Sequence, residues 1–206
     1  MASVYRAKGN IYLNLTNRCS SDCCFCVAGF SRGIYGYGLR LEAEPDVDEV
    51  LHGLEAEFLE GPAAEVVFCG FGEPTMRLDA ILKITEWLKL RRVPSRLDTN
   101  GHGSLINPGR DVPGELARAG LDRVSVSLVA HNSEVYNQLS RPVFSKAFRA
   151  VLQFAAGCIK EGIKVRLTVV DLPEVDIEAC RSLAKKMGAD FYVRPLISAG
   201  SGETED

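Results

Sequence analysis

Asn17-Arg18-Cys19-Ser20-Ser21-Asp22-Cys23-Cys24-Phe25-Cys26 crowds four thiols onto one short stretch. Cys19, Cys23 and Cys26 stand in a CxxxCxxC spacing, and Cys24 breaks any simple CxxC reading. The stretch begins just past residues 11–15, a short apolar run that reads as a β-strand, so the thiols belong to the loop at a strand's carboxyl end.

Outward from this loop, two patterns alternate. After a Gly- and Tyr-rich excursion over 29–41, Pro45 is expected to open a helix with acidic residues in its first turn. Val47, Val50, Leu51, Leu54 and Phe58 share one face of it, and Gly61-Pro62 stops it. Residues 65–69 read as a buried strand, 79–90 as a helix, 95–98 as a strand, 114–119 as a short helix and 123–129 as a fourth strand. Residues 146–160 read as a helix with Phe148, Val151, Leu152, Ala155 and Ile159 on one side. A strand over 164–170, a helix over 176–187 and a sixth strand over 190–196 follow.

Strand then helix, repeated with right-handed crossovers, builds a parallel sheet covered by helices. A closed eight-unit barrel takes about 250 residues, so six units suit an open barrel or a doubly wound sheet. The expected fold is α/β, an open six-stranded parallel (β/α)6 three-quarter TIM-like barrel, with one core domain over 1–197 and a flexible acidic tail over 198–206. Both architectures put chemistry at the carboxyl ends of the strands. Cys19, the run Gly70-Phe71-Gly72-Glu73-Pro74-Thr75, Thr99-Asn100-Gly101, His131-Asn132, Asp171 and Ser198 all fall there, on one rim.

Composition sets the outer limits. With 206 residues, 46% hydrophobic, the chain can bury a real core. Its net charge of -3 and scattered histidines give no reason to expect nucleic-acid or anionic-membrane binding. No apolar run approaches the roughly 20 residues that span a bilayer, and residues 1–10 lack a secretory apolar segment; the expected location is cytoplasmic. Seven cysteines, an odd number with several on one loop, make a poor disulfide framework and suit a reducing compartment. Cys69, Cys158 and Cys180 stand alone in apolar segments and are expected to be buried small hydrophobes.

Three clustered thiolates select zinc or an iron–sulfur cluster. Structural zinc needs a fourth ligand; His52 lies mid-helix, and Cys24 is bonded to Cys23 and points awkwardly for joint chelation. A [4Fe-4S] cluster on Cys19, Cys23 and Cys26 leaves one iron open. Across the rim, the glycines of 70–75 let backbone approach a ligand, and Glu73 supplies a carboxylate able to accept from an ammonium group. A small amino acid-like ligand fits that description. The plainer alternative is a strand-to-helix turn with Glu73 on its solvated side.

CxxxCxxC with an aromatic at Phe25, followed by the Gly-Phe-Gly-Glu-Pro loop, resembles the radical S-adenosylmethionine superfamily. The resemblance runs over nearly the whole chain, including Thr99-Asn100-Gly101 and Ser125-Val126-Ser127-Leu128. More narrowly, Asn14-Leu15-Thr16-Asn17-Arg18-Cys19 and Tyr136-Asn137-Gln138-Leu139-Ser140-Arg141-Pro142 are similar to small stand-alone members associated with TatD-type nucleases. The resemblance implies that Cys19, Cys23 and Cys26 ligate the cluster while the methionine amino and carboxylate groups of S-adenosylmethionine chelate the open iron. It implies that Gly72 and Glu73 hold the amino group and that Phe25 lies by the adenine. Asn100 joins the cofactor site, Ser127 or a neighbour meets the ribose or carboxylate, and Val169 and Arg194 neighbour the adenine. One departure stands out: Phe71 replaces a glycine of the common GGEP form.

The chemistry implied is reductive cleavage of the cofactor to a 5'-deoxyadenosyl radical that abstracts hydrogen from an unidentified substrate, with an external donor of flavodoxin or ferredoxin type. Candidates for the substrate side are Arg32, Tyr35, Tyr37, Arg40, His102, His131, Asn132 and Arg141. The bland readings are a solvated loop for Arg32 and Arg40, helix capping at His131-Asn132, and a rim brace for Arg141. Two other functions fit the same residues: a glycyl-radical activating enzyme with a protein substrate, or a non-catalytic iron–sulfur electron-transfer protein, in which Glu73 and the open iron would be superfluous.

Overall fold

The computed structural model describes residues 3–29 and 33–197. Two strands open the chain, β1 (Val4–Ala7) and β2 (Asn10–Leu13), followed past the cysteine loop by a small hairpin, β3 (Gly33–Ile34) and β4 (Tyr37–Gly38). Then come α1 (Val47–Leu59), β5 (Val66–Phe68), α2 (Leu78–Leu90), β6 (Ser95–Thr99), α3 (Gly103–Ile106), α4 (Val112–Ala119) and β7 (Arg123–Ser127). The described chain closes with α5 (Ser133–Ser140), α6 (Ala147–Lys160), β8 (Lys164–Val170), α7 (Ile177–Met187) and β9 (Asp190–Arg194).

The main sheet runs β1-β2-β5-β6-β7-β8-β9, every neighbouring pair parallel except antiparallel β1 and β2. The parallel strands lie in chain order with no reversal. A doubly wound sheet reverses at a switch point, so this order is that of a partial barrel, as expected from the sequence. Strand β1, the hairpin and α3 were not foreseen, and of α5 only the start was, as the capping reading at His131-Asn132. Helix α1 starts after Pro45: Asp46 is its N-cap and closes a capping box with Glu49. Residues 198–206 lie outside the described residues.

Period-two alternation sorts the strands into two faces. Ile11, Leu13, Val66, Phe68, Leu97, Val124, Val126, Val165, Leu167 and Val169 are buried in one cluster with Val50, Leu54, Ile81, Ile84, Phe154 and other helical residues. Cys158 and Cys180 lie in this core, as expected. The opposite face is polar. There Arg96 bonds Glu65 at 2.9 Å and also Asp98, while Arg194 reaches Ser125 Oγ at 3.2 Å and stands 3.9 Å from Asp98. Cys69 belongs to this polar side rather than to the apolar core, because its thiol interacts with Asp98; burial pushes it up to about 12.

A second, smaller core explains the 29–41 excursion. Tyr5, Leu39 and Phe71 are buried together, with Tyr12, Val27, Ala28, Ile34 and Tyr35 packed against them. Tyr5 and Tyr12 stack with ring centroids 5.3 Å apart. Phe71, where a glycine is common, is thus the side chain that ties the excursion to the loop after β5.

Candidate active site at the carboxyl ends of the strands

The cysteine loop is held mostly by main-chain atoms. Asp22 N donates to Ser140 O at 3.1 Å, Cys24 N to Leu139 O at 2.9 Å, and Val143 N to Ser20 O at 3.0 Å, so the end of α5 grips the loop's middle. At its start, Asn17 exchanges two hydrogen bonds with the backbone of Leu41, at 2.7 and 3.0 Å. Arg18 pairs with Glu44 at 2.6 Å, and Glu44 also accepts from Thr16 and Arg77. As an exposed pair, Arg18 and Glu44 contribute about 0.5 kcal/mol; their value is orientation.

Cys19, Cys23 and Cys26 act on one another electrostatically. Burial first, and then the thiols at Cys19, Cys26 and Cys24, push Cys23 up to about 12; Cys19 is raised too, by burial first and then by Glu73 and Cys26. Among the described residues, no three His, Cys, Asp or Glu side chains are drawn together at metal-binding distance. The donor set nonetheless fits a soft cationic group: several thiols on one loop, where burial and neighbouring thiols disfavour the thiolates of Cys19 and Cys23.

The loop after β5 docks directly on this segment. Glu73 N donates to Arg18 O at 2.8 Å. A Cβ on Gly72 would lie 2.4 Å from Thr16 O and 2.5 Å from Arg18 O, so only glycine lets these two backbones approach. Glu73 is 2% exposed rather than solvated. Its Oε1 accepts from Thr75 N, Thr75 Oγ1 and Thr99 Oγ1 at 3.0, 2.7 and 2.7 Å, and its Oε2 from Asn100 N at 2.7 Å. Burial raises its carboxyl, and the four donors pull the other way. This carboxylate caps the turn Pro74–Arg77 and bolts it to the end of β6. It is a brace with three donors on Oε1 and one on Oε2.

Asn100 extends the brace toward the thiols. Its Nδ2 donates to Ser20 Oγ at 2.9 Å and lies 3.8 Å from Cys19 Sγ, and its Oδ1 accepts from His102 N at 2.9 Å. His102 is fully buried between Ser20 Oγ (2.8 Å from Nδ1) and the Tyr136 hydroxyl (2.7 Å from Nε2). It is therefore a structural connector, not the substrate contact considered from sequence. Desolvation lowers it from the usual 6.5 to about 4. The unfolded chain then takes up a proton at His102 before the folded chain does. Stability is fully present above about pH 6.5, falls as pH drops toward 4, and levels off below, a loss of roughly 3 kcal/mol. Urea midpoints across that window are expected to show the decline, and His102→Gln is expected to flatten that part of the profile.

The other expected residues are distributed as follows. Ser127 ends β7 on the polar face, in register with Thr168. Arg194 ends β9 on that face. Val169, however, is 2% exposed within the helix-facing core, so its side chain faces away from the polar side. Phe25 is half-buried against the main core. Tyr35 and Tyr37 sit on the hairpin; Tyr35 packs into the second core, and the Tyr37 ring stands 4.9 Å from Tyr5. Arg40 is exposed, and Arg32 lies outside the described residues. Asn132 caps α5, accepting from Val135 N, while its amide contacts His131, which takes the capping reading for that pair. Arg141 ends α5 in a left-handed conformation, 3.9 Å from Asp22, as a rim brace. Sequence reasoning passed over Ser20, Glu44 and Tyr136. Only Tyr136, in helical phase with Leu139, left a readable signal.

A family model described as the Radical SAM superfamily matches residues 13–187. The chain is 29% identical over 195 residues to GTP 3',8-cyclase of Streptomyces coelicolor, covering 92% of this chain and 52% of that protein. It is 29% identical over 123 residues to the dual-specificity RNA methyltransferase RlmN of Syntrophotalea carbinolica, covering 59% and 30%. The chain thus spans about half the length of the cyclase. Streptococcus suis SuiB bound to S-adenosylmethionine has the same fold, with a TM-score of 0.72 at 15% identity over 95% of this chain and 43% of that one. So does anSMEcpe with bound AdoMet, with a TM-score of 0.65 at 16% identity over 94% and 55%.

Proposed function

This chain belongs to the Radical SAM superfamily, and from that premise we propose that it carries a [4Fe-4S] cluster on Cys19, Cys23 and Cys26 and uses it to cleave S-adenosylmethionine reductively. The observation that carries the reading is the docking of Gly72 and Glu73 on residues 16–18, which joins a thiol loop to a backbone-lined cofactor loop. Held by Cys19, Cys23 and Cys26, the cluster would supply one-electron reduction of the cofactor's sulfonium, giving methionine and a 5'-deoxyadenosyl group able to take hydrogen from a substrate.

The chain's own residues bind, orient and exclude water. Gly72 and Glu73 hold the cofactor's ammonium group, the three donors on Glu73 Oε1 fixing the loop and Oε2, with one protein donor, keeping a lone pair to offer. Ser127 and Arg194, on the polar face, serve the ribose and adenine, and Phe25 lies beside the adenine. Tyr5, Leu39 and Phe71 close one flank against solvent. The reductant is an external flavodoxin- or ferredoxin-type donor, and a TatD-type nuclease is a candidate partner on the strength of the 14–19 and 136–142 sequence resemblance.

Anaerobically reconstituted protein given S-adenosylmethionine and dithionite is expected to form 5'-deoxyadenosine. An intact cluster with no cofactor cleavage, and no effect of cofactor on its electron paramagnetic resonance, would overturn the proposal.

A further inference from the structure

Ser20, Asn100, His102 and Tyr136 form one chain of hydrogen bonds, buried at His102 and Tyr136, that ends at the exposed Cys19. Its polarity is fixed at Asn100. Asn100 Oδ1 accepts from His102 N, so the amide is oriented with Nδ2 toward the loop. One Nδ2 proton goes to Ser20 Oγ at 2.9 Å, leaving the other for Cys19 Sγ at 3.8 Å. Ser20 Oγ lies 2.8 Å from His102 Nδ1, and His102 Nε2 lies 2.7 Å from the Tyr136 hydroxyl, so the ring links the two hydroxyls. Asn100 is fixed from a second side as well, because its backbone N–H is held by Glu73 at 2.7 Å.

A brace for the loop would need only Ser20 and His102. The remaining N–H, aimed at a ligand sulfur, is what a brace leaves unexplained. Donors to ligand sulfurs favour the more negative, reduced state of an iron–sulfur cluster, and groups behind the ligands tune it. We propose that Asn100 is a positioning residue that raises the reduction potential of the group held by Cys19, and that Ser20, His102 and Tyr136 fix its donor in place. The inference rests on the cluster-binding reading given above.

The test is the midpoint potential of reconstituted protein, followed by electron paramagnetic resonance under graded reductant, together with iron content. Asn100→Ala is expected to keep its iron and move the potential more negative. At fixed poise its ratio of reduced to oxidised cluster should fall about tenfold, equivalent to about 59 mV for one electron. Ser20→Ala, which loosens the amide without removing it, is expected to shift the potential the same way by less. A fully loaded Asn100→Ala protein with wild-type potential overturns the inference. If that variant takes up no iron, Ser20→Ala decides, and an unchanged potential there overturns it. A wild-type protein that loads no cluster overturns both this inference and the proposed function. A cluster that loads without cleaving S-adenosylmethionine overturns the function alone, and the potential shift still decides the role of Asn100.

Discussion

Cys23→Ser is expected to fold and yet take up no cluster, with iron falling from about four per chain to about none, the count for a [4Fe-4S] centre. The thiol-to-hydroxyl exchange is nearly isosteric, and the loop's conformation rests on main-chain bonds such as Cys26 N to Cys23 O at 3.0 Å, which the substitution leaves intact. What is lost is the soft donor, since serine offers no thiolate. Cys24→Ser is expected to keep the cluster, because the site is built from the spaced thiols Cys19, Cys23 and Cys26 and Cys24's own N–H is engaged with Leu139 O. Iron analysis and the cluster's visible absorption after anaerobic reconstitution check both. Loss of iron from Cys24→Ser with retention in Cys23→Ser would reassign the ligand set.

Gly72→Ala is expected to be strongly damaging for a single added methyl. The new Cβ would stand 2.4 Å from Thr16 O, 2.5 Å from Arg18 O and 2.9 Å from Asn17 C. All three are backbone atoms, so no rotamer change relieves the clash. The loop after β5 must lift off the cysteine loop, breaking Glu73 N to Arg18 O and disturbing the four bonds to Glu73. A loss of about 3 kcal/mol or more follows for such strain and burial of unpaired polar groups, with iron uptake lost alongside. The control is Gly29→Ala, where an added Cβ meets nothing within 4 Å. Wild-type urea midpoint and iron content in Gly72→Ala would refute the docking as a requirement.

The parallel sheet was legible because helices with clear apolar faces alternate with most of its strands, and right-handed crossovers leave few ways to assemble such units. Strand β1 was not legible. Val4-Tyr5-Arg6-Ala7 has weak alternation, and its partner is fixed by register with β2 rather than by local propensity. Helix α5 was masked by polar residues; its burial rests on Tyr136, Leu139 and Ser140 alone. In the site, spacing announced the thiols and the Gly72-Glu73 loop. The orientation of Glu73 was hidden, because sequence shows a carboxylate but not the four donors folded around it from Thr75, Thr99 and Asn100. Val169 illustrates the same limit: period two says that neighbours face opposite ways, and only the packed sheet says which way is inward.

Of the two stretches that mark the narrower sequence resemblance, 136–142 lies against the cysteine loop just past 14–19, where Ser21 bridges to Pro142 and Cys24 bonds to Leu139. Since these links join backbone to backbone, almost any side chain at positions 22, 24 and 143 leaves them whole. Proline alone, which has no N–H to give, severs them. The grip on the thiols is therefore largely indifferent to side-chain identity, and lineages can rewrite the surface around it freely while the ligand loop keeps its shape.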